Sequence, residues 1–298
     1  MGQEPLIYIN GEFYPKSEAK IPVYDHGFLY GDGVFEGIRA YDGVVFKLRE
    51  HIDRLYASAK AIILEIPMSK EEMIDAVLKT LRKNGLKDAY IRLVVTRGVG
   101  DLGLDPRKCG KPNVIIIAEP ILALYKKEAK LKGLNLIISS VRRDRVDATT
   151  HQIKSLNYLN SILAKIEAIA AGADDAIMLD DRGFVAETSS TNIFLVKDGK
   201  VITPPPSTGA LPGVTRNFVM ELAKKLGYPV EERDVTPFEL LTADEVFMTG
   251  TGAEIVPVTR IAGRTIGDGK AGEITLKLIE EFEKECRKPE NGIKIYPE

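Results

Sequence analysis

The stretch HQIKSLNYLN, residues 151–160, sets a lysine between an isoleucine and a polar-aromatic cluster, at the mouth of what reads as an apolar helix. Lysines ordinarily ride a solvated helix face, so Lys154 raises the question of an amine kept for chemistry. Two further segments look built to receive an anion. In ALPGVTRNF a glycine precedes Val214 and Thr215 at the expected start of a helix, where first-turn amides have no intrahelical partner and the helix dipole is positive. In MTGTGAEI, Gly250 and Gly252 flank Thr251 just after a strand, leaving amides and a hydroxyl accessible. Arg54 could add a bidentate, charge-assisted contact.

Taken singly, a capped helix and a tight turn explain these motifs. Together with the lysine they point to a phosphorylated cofactor that a lysine can hold covalently, and pyridoxal phosphate uses both features. Glu187, in FVAETSSTN, supplies a further part. A carboxylate facing a pyridine nitrogen keeps it protonated, and a protonated ring is the better electron sink. An arbitrary strand-end glutamate is usually only that; the place of Glu187 after Lys154, across a helix and two strands, favours the pairing.

Other chemistries fail on their residues. GDGVFEG has Glu36 where a dinucleotide fingerprint needs its third glycine, and it opens a strand rather than a helix. There is no GxxxxGK[ST] loop and no GxSxG elbow. His26, His51 and His151 have no metal-ligand neighbours at useful spacing, so no metal is expected. Cys109 and Cys286 lie far apart and form no CxxC, which makes a reducing cytoplasm the default compartment. Lys and Arg number 41 against 43 Asp and Glu, a net charge of −2, which argues against a nucleic-acid or membrane-surface binder. No run reaches the ~18 uninterrupted apolar residues of a membrane span. Glutamine occurs only at Gln3 and Gln152 and tryptophan never, while charges are abundant, a pattern pointing to a heat-adapted source.

The elements that must position these residues come mostly as hairpins. Asn10-Gly11 and Asp42-Gly43 mark turns between short strands. Ile52, Leu55, Ala59 and Ile62 fall at helical spacing, and a second helix covers about residues 69–84. Strands follow at AYIRLVVTR and PNVIIIAEP. Residues 121–130, where charge replaces the apolar pattern, read as a linker between a small N-terminal domain (1–120) and a larger C-terminal, cofactor-binding domain (131–298). The latter begins with strand LNLIISSV and an amphipathic helix over 155–171, and ends with a C-terminal helix. The fold class is α/β, with mixed sheets and packed helices in two domains.

In order along the chain, YGDGVFEGIRAY, REHIDRL, AYIRL, GDLGLDP, IKSLNYLN, ETSSTNIF, ALPGVTR and EVFMTGTGAEI resemble the class IV (fold type IV) pyridoxal-phosphate enzymes, of D-amino-acid-aminotransferase-like architecture. The similarity runs nearly end to end and is closest to the branched-chain amino-acid aminotransferases. That resemblance implies that Lys154 forms the internal Schiff base and shuttles a proton. It also implies that Glu187 pairs with the pyridine nitrogen, Tyr158 lies near the phenolic oxygen, and Leu211 packs on the ring. Arg54, Val214, Thr215 and Thr251 are expected to hold the phosphate. Tyr30, Phe35, Gly37, Arg39, Tyr90, Arg92, Gly252 and Ala253 are expected around the substrate. Leu102 and Leu104 would enter a partner's pocket, which makes a homodimer the smallest complete enzyme. Some family members have a longer, glycine-bearing segment where this chain has only Ser155, Leu156 and Asn157 before Tyr158.

Two relatives with other activities share the scaffold. A D-amino-acid transaminase is expected to trap the substrate carboxylate with an Arg-x-His pair, but Arg97 is followed by Gly98 and Val99. A 4-amino-4-deoxychorismate lyase does not usually need the Tyr90/Arg92 pair, which i, i+2 spacing puts on one strand face.

Overall fold

Asn10 and Gly11 both take positive φ, 52° and 101°, and so close the hairpin of β1 (Leu6–Ile9) and β2 (Glu12–Pro15). Asp42 and Gly43 repeat the device between β3 (Gly33–Tyr41) and β4 (Val44–Phe46). These strands join β5 (Ala89–Thr96), β6 (Asn113–Glu119) and β16 (Gly292–Lys294) in one sheet of order β16-β4-β3-β5-β6-β1-β2, antiparallel throughout. Its helices are α1 (His26–Tyr30), α2 (Leu48–Ala61) and α3 (Lys70–Lys83), the last opened by a reciprocal Ser69–Glu72 capping box. Val34, Ile38, Ile91 and Leu93 pack in one cluster with Ile52 and Leu55 of α2 and with Met73 and Val77 of α3. Burying each large aliphatic side chain in this way contributes about 1.5–3 kcal/mol.

The computed structural model describes residues 4–120 and 132–297, which fall into two compact units. The first takes residues up to 120 together with 153–157 and the chain from 286 onward. The second takes 132–152 and 158–285. The expected linker at 121–130 lies outside the described residues.

The second unit holds β7 (Leu134–Ile138), α4 (Leu159–Ala170), β8 (Asp175–Leu179), β9 (Val185–Thr188), β10 (Asn192–Lys197), β11 (Lys200–Thr203) and α5 (Val214–Lys225). After these come β12 (Val230–Glu232), α6 (Pro237–Leu241), β13 (Glu245–Gly250), β14 (Glu254–Ile261), β15 (Arg264–Thr265) and α7 (Glu273–Glu285). The sheet runs β12-β11-β10-β13-β14-β7-β8-β9, with β15 on β14. It is parallel at β12/β11, β14/β7 and β7/β8 and antiparallel elsewhere, so it is mixed, as the sequence implies.

Two local expectations need correction. The helix expected over 155–171 begins only at Leu159, because residues 154–156 spend their backbone groups on β3. Its amphipathic pattern is also turned around: Ser161, Ala164 and Ala168 are buried, while Leu159, Ile162, Leu163, Ile166 and Ile169 are exposed. The C-terminal β16 is not legible in the sequence, since three residues carry too little periodicity. Among the described residues no helix is long and apolar enough to cross a membrane.

Some charges form networks, while others, such as Lys16–Glu119 and Lys79–Asp75, stand as isolated pairs. Arg182 reaches Asp180 at 2.7 Å and Asp234 at 3.1 Å, and Lys277 and Lys284 share Glu280 and Glu281. Such networks gain value as temperature rises and charge desolvation becomes cheaper. The full chain should therefore melt above about 60 °C, the upper range for mesophile domains. Calorimetry showing a transition near 50 °C would remove the heat-adaptation argument.

Candidate active site

Lys154 belongs to a short segment laid along the β3 edge. β4 pairs only with Ala40 and Tyr41 of β3, so the Gly33–Phe35 end is open on that side. There Phe35 N donates to Lys154 O at 3.0 Å, Leu156 N donates to Gly33 O at 3.0 Å, and Ser155 bridges Val34. Ser58 of α2 adds its Oγ as acceptor for Lys154 N at 3.1 Å. The approach is close enough that a Cβ on Gly33 would sit 2.6 Å from both Leu156 Cδ1 and Val95 O. Held in this way, Lys154 Nζ lies 4.5 Å from the centroid of the Phe35 ring.

Phe35, Gly37 and Arg39 alternate onto one face of β3, and the register sets Gly37 opposite Arg92 and Arg39 opposite Tyr90. Arg92 Nη2 donates to Tyr90 Oη at 3.2 Å, and its guanidinium carbon stands 4.6 Å over the Phe35 ring. Tyr90 Oη occupies the space a Cβ on Gly37 would need. Arg39 stacks on Tyr41 at 4.6 Å. The first unit therefore gathers an amine, an aromatic ring and a cation. Tyr30, at the end of α1, donates to Leu102 O at 2.6 Å, while Leu102 and Leu104 are 68% and 78% exposed. Arg54 is not on this face; it forks onto Glu36, which the alternation turns toward α2. Arg97 is committed elsewhere: it is buried, pairs with both oxygens of Asp32 at 2.9 Å, and donates to Ile62 O and Ile63 O.

In the second unit Glu187 lies on β9, 4% exposed. Its Oε2 accepts from Leu211 N at 3.2 Å and from Asn192 Nδ2 at 3.3 Å. Its Oε1 faces Arg143 Nε at 3.3 Å, an ion pair outside hydrogen-bond alignment. Arg143 is itself 1% exposed and donates to Thr188 O, Asn160 Oδ1 and Ser161 Oγ at 2.7, 3.1 and 3.1 Å. Asn192 also donates to Leu211 O at 2.8 Å, so one amide places both Glu187 and Leu211. Tyr158 is the residue that caps α4, and its ring meets His151 edge-on at 5.4 Å.

Gly213 is the N-cap of α5, with no side-chain cap and no acidic residue in the first turn, which holds Val214 and Thr215. A Cβ at Gly213 would collide with Asn192 Oδ1, so the helix start can come this close only as glycine. Arg216, in the same turn, is spent on Glu232 and Pro204 O. Thr251, Gly252 and Ala253 form the tight loop closed by the Gly250–Glu254 pair. Among the described residues no cluster of potential ligands could hold a metal ion.

Each unit holds groups that suit pyridoxal phosphate: the first a half-buried amine and a guanidinium, the second an uncapped helix start without acidic neighbours and a buried carboxylate held by two hydrogen-bond donors beside the Arg143 charge. Arg143 and Asn192 escape a reading of the sequence. Asn192 lies inside a motif already singled out, but Arg143 stands in the charge-rich run VRRDR and looks solvated. Breaking a buried ion pair costs about 3–5 kcal/mol, because the remaining charge is stranded. Arg143→Met should lose stability on that scale in denaturant unfolding, and Arg143→Met/Glu187→Gln should lose less. Additive losses would show that the pair is not coupled.

Comparison with known proteins bears on the whole chain. The family model "Amino-transferase class IV" matches residues 33–261. A protein of Methanocaldococcus jannaschii named "Putative branched-chain-amino-acid aminotransferase" is 59% identical over 292 residues, covering 98% of this chain and 99% of its own. The branched-chain-amino-acid aminotransferase of Escherichia coli K12 is 40% identical, covering 93% and 91%. Among solved structures, the T.th. branched-chain amino acid aminotransferase with pyridoxamine 5'-phosphate superposes with a TM-score of 0.92 at 42% identity, covering 97% and 96%.

Proposed function

The chain belongs to the class IV aminotransferases, and from that premise we propose how its own residues carry the reaction. The reaction is transfer of an amino group between branched-chain L-amino acids (leucine, isoleucine, valine) and 2-oxoglutarate, with pyridoxal 5'-phosphate as cofactor. When bound, the cofactor carries the amino group and, with its ring nitrogen protonated, takes up the electrons released at the substrate α-carbon.

Lys154 Nζ is assigned the covalent hold on the cofactor and the transfer of the α-proton. Glu187, anchored by Arg143, Asn192 and Leu211 N, keeps the proton at the ring nitrogen. Tyr158 is assigned to the phenolic oxygen and Leu211 to the ring face. Arg54, the Val214 and Thr215 amides, and Thr251 are assigned to the phosphate. Tyr30, Arg39, Gly252 and Ala253 complete the substrate contacts. Exposed as they are, Leu102 and Leu104 suit a homodimer in which the partner subunit's Leu102 and the partner subunit's Leu104 enter the pocket. Residues 121–130 are proposed as the linker between N- and C-terminal domains.

The observation that carries the substrate reading is the sheet face shared by Phe35, Gly37, Tyr90 and Arg92. One pocket must accept a branched apolar side chain and a glutamate side chain. The aromatic surface suits the first, at about 0.8 kcal/mol per buried methylene. The second ends in a charge that an apolar wall would reject, and Arg92, steadied by Tyr90 Oη and Phe35, meets it. The D-amino-acid transaminase alternative loses further ground because Arg97 is fully committed to Asp32 and two backbone carbonyls.

A panel of amino donors with 2-oxoglutarate should rank leucine, isoleucine and valine above D-alanine; preference for a D-amino acid would refute the assignment. Lys154→Ala should lower turnover by roughly a thousandfold or more, since it deletes both proton shuttle and covalent hold. Borohydride should fix the cofactor on Lys154, and a labelled peptide elsewhere would end this reading. Removing one member of a desolvated charge pair costs about 2–5 kcal/mol, so Arg92→Met should lose about 30-fold or more with 2-oxoglutarate. Activity with 4-methyl-2-oxopentanoate should fall much less. Equal losses would move Arg92 to the α-carboxylate that both acids share.

A further inference from the structure

Arg54 does not stand alone. Its Nε and Nη2 donate to the two oxygens of Glu36 at 2.7 and 2.8 Å, and His51 Nδ1 meets Glu36 Oε2 at 2.7 Å. Glu36 and His51 are 0% and 1% exposed. Alternation along β3 turns Glu36 to the side where Val34 and Ile38 pack against Ile52 and Leu55 of α2. His51 and Arg54 are three residues apart on α2, so both rise toward the same carboxylate. Ser58, one further turn along, holds the backbone of Lys154.

We infer that Glu36 is a positioning residue for cofactor binding: its carboxylate locks the guanidinium plane of Arg54 for a phosphate and holds His51 as the tautomer protonated on Nδ1. The inference rests on the assignment of Arg54 to the cofactor phosphate. A free arginine would lose its rotamer freedom on capturing a phosphate, whereas a guanidinium already forked onto a rigid carboxylate has lost it during folding. Burial pushes the Glu36 carboxyl upward, but Arg54 and His51 outweigh it and bring the pKa down to about 2. Burial holds His51 below the ordinary histidine range; Glu36 opposes this, and the charges of Arg54 and Lys154 reinforce it. Facing a carboxylate oxygen at 2.7 Å, Nδ1 is the nitrogen that donates. Arg54, its side chain still 12% exposed, is left as the cation against the fully buried anion of Glu36.

The test titrates full-length apoprotein with pyridoxal 5'-phosphate and, separately, with pyridoxal, which lacks the phosphate, reading cofactor absorbance and checking the fold by thermal melting. Glu36→Gln should raise the Kd for pyridoxal phosphate about 10- to 100-fold, the range for losing charge-assisted contacts, and move that for pyridoxal less than about threefold. Equal weakening of both would mean a merely structural role, and unchanged affinity for pyridoxal phosphate would equally overturn the inference. Arg54→Met separates the two layers of the argument. If it leaves the ratio of the two affinities at the wild-type value, the phosphate assignment itself falls and the inference with it. If Arg54→Met changes the ratio and Glu36→Gln does not, only the inference falls. Should Glu36→Gln fail to fold, Glu36→Gln/Arg54→Met, which buries no charge, decides. Its ratio should match that of Arg54→Met, and a further loss would overturn the inference.

Discussion

Residues 154–156 complete the open end of β3, and the first unit's half of the chemistry is arranged around that contact. β4 leaves Gly33–Phe35 without a neighbour on one side, and strand backbone groups left unpaired in a buried setting are expensive. The segment arrives from more than a hundred residues away and satisfies them, with Gly33 as the point of closest approach. Once its carbonyl is bonded to Phe35 N and its amide to Ser58 Oγ, Lys154 has little freedom except in its side chain. The ammonium comes to rest against the Phe35 ring, beside the face that carries Gly37, Tyr90 and Arg92. Moving the segment by one residue would send a serine or an isoleucine there instead.

Both units bury a glutamate, and both solve its desolvation the same way. Glu187 is met by Arg143, Asn192 and the Leu211 amide, and Glu36 by Arg54 and His51. A buried ion pair adds little net stability compared with well-packed apolar groups, because desolvation consumes most of the Coulombic gain. What such a pair does supply is geometry: the carboxylate meets its partners in one arrangement only. Glu187 is the group assigned to the ring nitrogen, and Glu36 holds the guanidinium assigned to the phosphate. In each case stability is given up for a fixed direction.

Much of this is readable from residue types. Turn pairs with positive φ, such as Asn10-Gly11 and Asp42-Gly43, announce hairpins because few other residues tolerate that backbone. The Ser69–Glu72 capping box marks α3, since its two side chains satisfy orphan amides locally. The alternation of Tyr90 and Arg92 places both on one face by spacing alone. The start of α4 departs from the sequence expectation because Ser155–Tyr158 have acceptable helical propensity. Propensity does not know that a distant strand edge will claim those amides.

The sequence by itself determined the local geometry and the chemical inventory: hairpins, capped helices, a lysine in an apolar context, an uncapped helix start, a carboxylate at the end of a strand. These depend on groups a few residues apart, whose interactions the chain cannot avoid. Only the tertiary structure decided which of the polar residues act together. Arg143 looks like one of three solvated arginines in VRRDR, yet folding buries it against Glu187. Glu36 looks like a failed glycine in a nucleotide loop, yet folding makes it the anchor of Arg54 and His51. Such pairings are set by which strand faces which helix, at sequence separations where no local rule operates. A charge's partner inside a protein is chosen by packing, because burial turns an optional contact into a required one.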